Sequence, residues 1–137
     1  MNLLDTNVVS ELRKTRPHGG VLAWFRSVAE ADLLISAVTV GEIQAGIERV
    51  RQQDFKKAAE LEAWLDLIER TYQVLPMDAV VFRTWARLQK GQRTQFFEDA
   101  MIAATALVHG LTVVTRNVRD FAPFDVAVLD PFAHPSN

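Results

Sequence analysis

The sequence predicts an α/β domain with a short, mostly parallel central sheet covered by helices on both faces. Short apolar runs of strand length alternate with longer stretches of helical periodicity along the whole chain. That alternation builds strand–helix–strand units, whose crossovers place helices over the sheet, and the right-handed crossover rule restricts the topology. The 137 residues contain no repeat, low-complexity stretch or linker, which fits one domain with a real core.

Met1–Leu4 reads as the first strand and runs into Asp5-Thr6-Asn7. Asn7–Lys14 reads as a helix with Val8, Val9 and Leu12 inward. Pro17-His18-Gly19-Gly20 breaks the chain before a second helix over Val21–Glu30, with Leu22, Trp24, Phe25 and Val28 as its apolar set. Leu33–Ile35 is a short buried strand. Thr39-Val40-Gly41-Glu42 fits a capping box, so a third helix is expected over Thr39–Val50. A long fourth helix over 54–72 carries Leu61, Trp64, Leu65 and Ile68 at core spacing.

Tyr72–Leu75 is the third strand, closed by Pro76, and Ala79–Lys90 the fifth helix. Glu98–His109 is the sixth, ended by Gly110 as its C′ residue. Its alanines at 100, 103, 104 and 106 allow close packing on a sheet. Leu111–Thr115 and Val126–Leu129 complete the strands, and residues 133–137 read as a loose tail.

Composition narrows the function classes. There is no cysteine, which excludes a disulfide framework and a thiolate zinc site. The first residues lack a basic stretch followed by a long apolar one, so no signal peptide is read. No apolar run approaches the roughly 20 residues of a membrane helix. A cytoplasmic protein is expected. The net charge of −2, from 15 Lys+Arg against 17 Asp+Glu, leaves a near-neutral or basic surface if several acids gather at one place.

Four acids stand at strand exits or helix starts on four separate segments: Asp5, Glu42, Asp99 and Asp120. A carboxylate at the carboxyl end of a first strand lies where open parallel sheets bind ligands. Each acid also has a plainer role. Asp5 can cap the helix that follows it, and Glu42 can serve the capping box. Asp99 can answer the helix dipole, and Asp120 can pair with Arg119 or cap a turn. Glu98 is expected to face solvent.

Together the four have a common logic. Close carboxylates raise one another's pKa, and a divalent cation relieves the repulsion. Hard oxygen ligands without cysteine or paired histidine favour Mg²⁺ or Mn²⁺. Such an ion activates water and neutralises phosphoryl oxygens in phosphodiester cleavage. Asn7 could support Asp5, and Thr115 and Asn117 leave the fourth strand where they could orient a water or a phosphate.

His18, His109 and His134 form no defensible site, and no G-x-S-x-G, P-loop or G-x-G-x-x-G motif is present. Arg13, Lys14 and Arg116 lie close in sequence to proposed ligands and could hold an RNA backbone, although solvated faces account for such clusters as well.

The segments LLDTNVVSELRK at 3–14, SAVTVGEIQAGI at 36–47, EDAMIAATALVHGLTVVTRNVRDF at 98–121 and VLDPF at 128–132 resemble the PIN domain. More narrowly, they resemble VapC-type toxins of type II toxin–antitoxin systems. The resemblance runs in order over residues 1–132. It implies a three-layer α/β/α sandwich and a Mg²⁺- or Mn²⁺-dependent endoribonuclease using a metal-activated water. The family's four acids fall on Asp5, Glu42, Asp99 and Asp120, and its polar helpers on Thr6, Asn7, Thr115 and Asn117. It further implies a homodimer held in a larger assembly by a VapB-type antitoxin that blocks the acidic site. One departure is local: many relatives carry a Pro-containing lead-in to the third acid, where this chain has Arg93-Thr94-Gln95-Phe96-Phe97-Glu98.

Two rival functions stay in view. A phosphatase using Asp5 as nucleophile would want an acid two residues later, where this chain has Asn7, and a strand-end lysine. A non-catalytic module could use the apolar faces around Trp24 and Trp64 to hold a helical partner.

Overall fold

The computed structural model describes residues 1–91 and 97–136. The unusual lead-in at residues 93–96 lies outside the described residues. Five strands form one all-parallel sheet: β1 (Asn2–Leu4), β2 (Leu33–Ser36), β3 (Gln73–Leu75), β4 (Thr112–Val114) and β5 (Val128–Leu129). Their order across the sheet is β3-β2-β1-β4-β5. Seven α-helices are described: α1 (Thr6–Glu11), α2 (Gly19–Ser27), α3 (Ala37–Arg51), α4 (Phe55–Thr71), α5 (Ala79–Gln89), α6 (Phe97–His109) and α7 (Val118–Phe121). None of the described helices is long and apolar enough to cross a membrane.

Strand alternation sorts the core into two halves, because successive side chains point to opposite faces. Leu3, Leu34, Leu75 and Val113 face one side, where Ala100, Ile102, Ala103 and Ala106 of α6 and Phe121 of α7 meet them, with Trp85 and Leu88 of α5 packed alongside. Leu4, Leu33, Ile35 and Val114 face the other, covered by Val8 and Val9 of α1, Trp24 of α2 and Ile68 of α4, with Val40 and Ile43 of α3 against them. The result is the expected three-layer sandwich. Burying each Leu, Ile or Val side chain stabilises it by roughly 1.5–3 kcal/mol. The small α6 face lets that helix lie close to the sheet. Gly110, at φ +67°, ends α6 as expected, and the Leu111 N–H donates to the Ala106 carbonyl at 2.8 Å. That bond is the longer-range bond of a Schellman cap.

Several boundaries differ from the expected ones. Helix α3 begins at Ala37, not Thr39, because the Ser36 hydroxyl at the end of β2 accepts the Val38 N–H at 3.1 Å and caps the helix. Thr39 is therefore the third helical residue, and it is fully buried. Glu42 stands a turn too far along to close a capping box. Helix α2 likewise starts early, at Gly19, because His18 Nδ1 accepts the Gly20 N–H at 3.0 Å. Residues after Arg116 are not plain loop but the short helix α7 followed by a 3-10 turn at Ala122–Phe124. Another 3-10 turn, Pro131–Ala133, lies on the N-terminal end of α2: the carbonyl oxygens of Pro131, Phe132 and His134 crowd the open side of Gly20.

Candidate metal centre

The strand order places a change of direction between β1 and β4. From β1 the chain moves outward through β2 to β3 on one side, then returns to β4 and β5 on the other. Crevices at the carboxyl ends of strands at such a switch point are where open α/β sheets bind ligands. Asp5 leaves β1 in that crevice and Thr115 leaves β4 beside it, with the Asp5 N–H bonded to the Val114 carbonyl at 2.9 Å.

Asp5 is buried and its carboxylate is held on three sides. Oδ1 accepts the Thr6 N–H at 2.7 Å, so Asp5 caps α1 as well as facing the crevice. Oδ2 accepts from Thr115 Oγ1 at 2.7 Å and from Asn7 Nδ2 at 3.2 Å. Thr115 is itself fixed, because its hydroxyl oxygen accepts the Asn117 N–H at 2.9 Å. Asn7 ties the two strand exits together: its Oδ1 accepts the Arg116 N–H at 3.2 Å. Asn117 thus acts through its backbone, and its carbonyl accepts the Asp120 N–H at 3.0 Å at the start of α7. Its side chain makes no capping bond.

Glu42 enters from α3. Its Oε1 accepts from Thr6 Oγ1 at 3.0 Å, and the same Thr6 oxygen lies 3.1 Å from Thr39 Oγ1. Thr39 is a site residue that sequence reasoning missed, because its position before Glu42 read as a helix cap. Asp99 enters from the first turn of α6 and Asp120 from α7. Glu98 is exposed, as expected, yet its charge is felt at both Glu42 and Asp99.

The electrostatics are those of a cluster short of positive charge. Burial raises the Asp5 carboxyl above its ordinary value, the three hydrogen bonds hold it down, and the charge of Asp120 adds to the rise. Burial also raises Glu42; the Thr6 bond opposes this, and Asp5 and Glu98 reinforce it. Asp99 is pushed up to about 7, by burial first and then by Asp5, Asp120, Glu42 and Glu98. None of the ion pairs among the described residues involves Asp5, Glu42, Asp99 or Asp120. No bridge joins Asp120 to Arg119.

This donor set suits a hard divalent cation: every candidate ligand is a carboxylate oxygen, and none of the ion pairs among the described residues neutralises them. Among the described residues, no three acidic or imidazole groups are gathered tightly enough to enclose an ion by themselves. The ring is therefore open, with its members near enough to repel but too far apart to form a finished cage. Mg²⁺ fits such a ring, since it keeps several of its waters and takes only one or two carboxylates directly.

Of the basic residues, Arg13 lines a cleft of about 270 Å³ beside Glu42, between α1, α3 and α4. Lys14 is paired with Glu11 at 2.9 Å instead of facing the acids. Arg116 shares a second hollow with Asn117, Arg119 and Asp120. Arg49, from the basic stretch that joins α3 and α4, lines a third with Glu42 and Glu98.

Comparison with known proteins places this geometry. The family model of the PIN domain matches residues 3–126. The chain is 34% identical to toxin FitB of Neisseria gonorrhoeae, over 96% of this chain and 99% of that protein. It is 38% identical to VapC ribonuclease Y4jK of Sinorhizobium fredii, over 95% of this chain and 94% of that protein. A chain in the crystal structure of FitAcB from Neisseria gonorrhoeae superposes with a TM-score of 0.85 at 36% identity, over 97% of this chain and 99% of that one.

Proposed function

The chain belongs to the PIN-domain family, and on that premise we propose that it is the toxin of a type II toxin–antitoxin pair, acting as a Mg²⁺- or Mn²⁺-dependent endoribonuclease. The observation that carries this reading is the convergence of Asp5, Glu42, Asp99 and Asp120 on one crevice, with no ion pair to any of them among the described residues. Relatives named as a toxin and as a VapC ribonuclease, each aligned over nearly the whole chain, support it.

Asp5 and Asp99 are the principal ligands in this reading, with Glu42 and Asp120 completing the ring directly or through water. Those acids would hold a divalent cation, which would supply positive charge at the phosphoryl oxygens and lower the pKa of a water near the phosphodiester. The protein's own part is orientation. Thr115, Asn7 and the Thr6 N–H fix the Asp5 oxygens, and the Thr6 hydroxyl fixes one oxygen of Glu42. Arg13 and Arg116 stand at the margins, where the backbone of an RNA strand would pass. The protein works in the cytoplasm as a homodimer, and a VapB-type antitoxin holds it in a larger hetero-oligomer and covers the acids.

The test is induction of the chain without its antitoxin, followed by mapping of cleavage sites in total RNA. Wild type should arrest growth and produce discrete new RNA ends, and Asp5→Ala should produce neither. Identical RNA ends from both would refute the assignment.

A further inference from the structure

Arg116 is anchored to the candidate site through its backbone, yet its long side chain is exposed and joins none of the ion pairs among the described residues. Its guanidinium is nevertheless held, 4.6 Å from the centroid of the Phe132 ring. Stacking uses the flat face of a guanidinium and leaves its in-plane N–H groups available for a phosphate. Arg116 lines a hollow with Asn117, Val118, Arg119, Asp120 and Asp130, and the charge of Asp120 reaches Asp5 and Asp99.

The Phe132 ring is a built support. The ring packs against the core that contains Leu4, Val114 and Trp24. On another side it meets His18 at 5.1 Å between ring centroids. Its N–H is held by Asp130 Oδ1 at 2.9 Å. The main chain on either side rests on Gly20, where an added Cβ would lie 2.7 Å from the His134 oxygen, 3.0 Å from that of Phe132 and 3.1 Å from that of Pro131. Only a residue without a side chain lets the chain end seat so closely on α2.

We propose that Phe132 is a positioning residue for RNA binding: the chain end, seated on Gly20, presents a ring that holds the Arg116 guanidinium edge-outward to take an RNA phosphate beside Asp120. This deepens the ribonuclease reading and rests on it. The unpaired side chain of a free arginine would lose rotamer freedom on meeting a phosphate; here the ring already restricts part of that freedom before RNA arrives.

The test is binding of a fluorescein-labelled single-stranded RNA, followed by anisotropy with Mg²⁺ present, in an Asp5→Asn background that keeps the RNA intact. Arg116→Ala should weaken binding about five- to tenfold, and Phe132→Leu about two- to fivefold. The double variant should be no weaker than Arg116→Ala, since both remove one interaction. Phe132→Tyr, which keeps the ring, should restore binding. Arg116→Ala should lower the salt slope by about 0.7, the loss of one single-strand phosphate contact, whereas Phe132→Leu, which keeps the Arg116 charge, should leave the slope close to that of its parent. In the cleaving protein, Phe132→Leu should raise KM with kcat little changed. Multiplying effects in the double variant, or Phe132→Leu binding RNA like its parent, would overturn the proposal. RNA that fails to bind at all would overturn it too. RNA that binds with the expected pattern while wild type cleaves nothing would instead overturn the ribonuclease reading and leave the role of Phe132 standing.

Discussion

Replacing Asp99 with asparagine should make the metal-free protein more stable while removing its activity. Burial and the neighbouring acids push the folded Asp99 carboxyl up to about 7 from an ordinary 3.8, so the folded state holds that proton more tightly than the unfolded chain does. Below pH 3.8 the group is protonated in both states and costs nothing. As pH rises from 3.8 to about 7 the unfolded chain ionises freely and the folded one does not, so stability falls across that window and stays low above it. At about 1.4 kcal/mol per unit the ceiling is about 4 kcal/mol. Asp99 is only half-buried, and solvent and salt screen its neighbours, so a loss of about 1–2 kcal/mol is the working figure. Asp5 and Glu42 are raised as well and act in the same direction.

For a domain of this size, that loss corresponds to a shift in melting temperature of about 3–6 °C. Thermal melts with EDTA at pH 5 and pH 8 read the part of it that falls above pH 5, about two-thirds. Wild type should melt lower at pH 8 than at pH 5, and Asp99→Asn should reduce that difference and melt higher than wild type at pH 8. Added Mg²⁺ should raise the wild-type midpoint at pH 8 and move the variant much less. A variant that melts at or below the wild type at pH 8 without metal would refute the reasoning, because the acids would then not be repelling one another in the folded state.

Three further outcomes follow from the same geometry. Thr115→Val keeps the buried shape but removes the donor to Asp5 Oδ2, so cleavage or Mg²⁺ affinity should fall about 10–100-fold, read by initial rates and calorimetry. Ser36→Ala should cost about 1 kcal/mol in urea unfolding because it uncaps α3, with RNA cleavage per folded molecule unchanged. Asp5→Asn should abolish cleavage with a smaller loss of stability than Asp5→Ala, because the amide oxygen can still accept the Thr6 N–H that caps α1; parallel denaturant curves check the order.

The sequence revealed much of this where a local signal coincided with the tertiary role. The five strands announced themselves as short apolar runs, and Gly110 marked the end of α6 through its positive φ. Asp5, Asn7 and Thr115 were legible as polar residues at strand exits, and the fold joins Thr115 to Asp5 and Asn7 by hydrogen bonds across more than 100 residues. Thr39 was misread because a threonine three residues before a glutamate satisfies a helix-start pattern; Ser36 captured the cap first, since it ends β2 in an extended conformation with a hydroxyl within reach. Strand order was invisible because no local pattern says on which side of β1 the chain returns. The seating of Phe132 on α2 was hidden for a related reason: it depends on Gly20, more than 100 residues away, whose lack of a side chain matters only once the chain end arrives. Arg116 could be marked as a cation near a ligand, but not as one stacked on a ring.

The central claim is that the converging carboxylates form one cation-dependent nuclease site. Its most direct measurement is the rate of cleavage of a labelled RNA by purified protein as Mg²⁺ is titrated, for wild type, Asp5→Asn and Asp99→Asn, each shown to be folded by its melting curve. Wild-type cleavage should begin only as Mg²⁺ is added and stop in EDTA, and both variants should be folded and inactive at every concentration. Cleavage by either variant at the wild-type rate, or wild-type cleavage undiminished in EDTA, would contradict it.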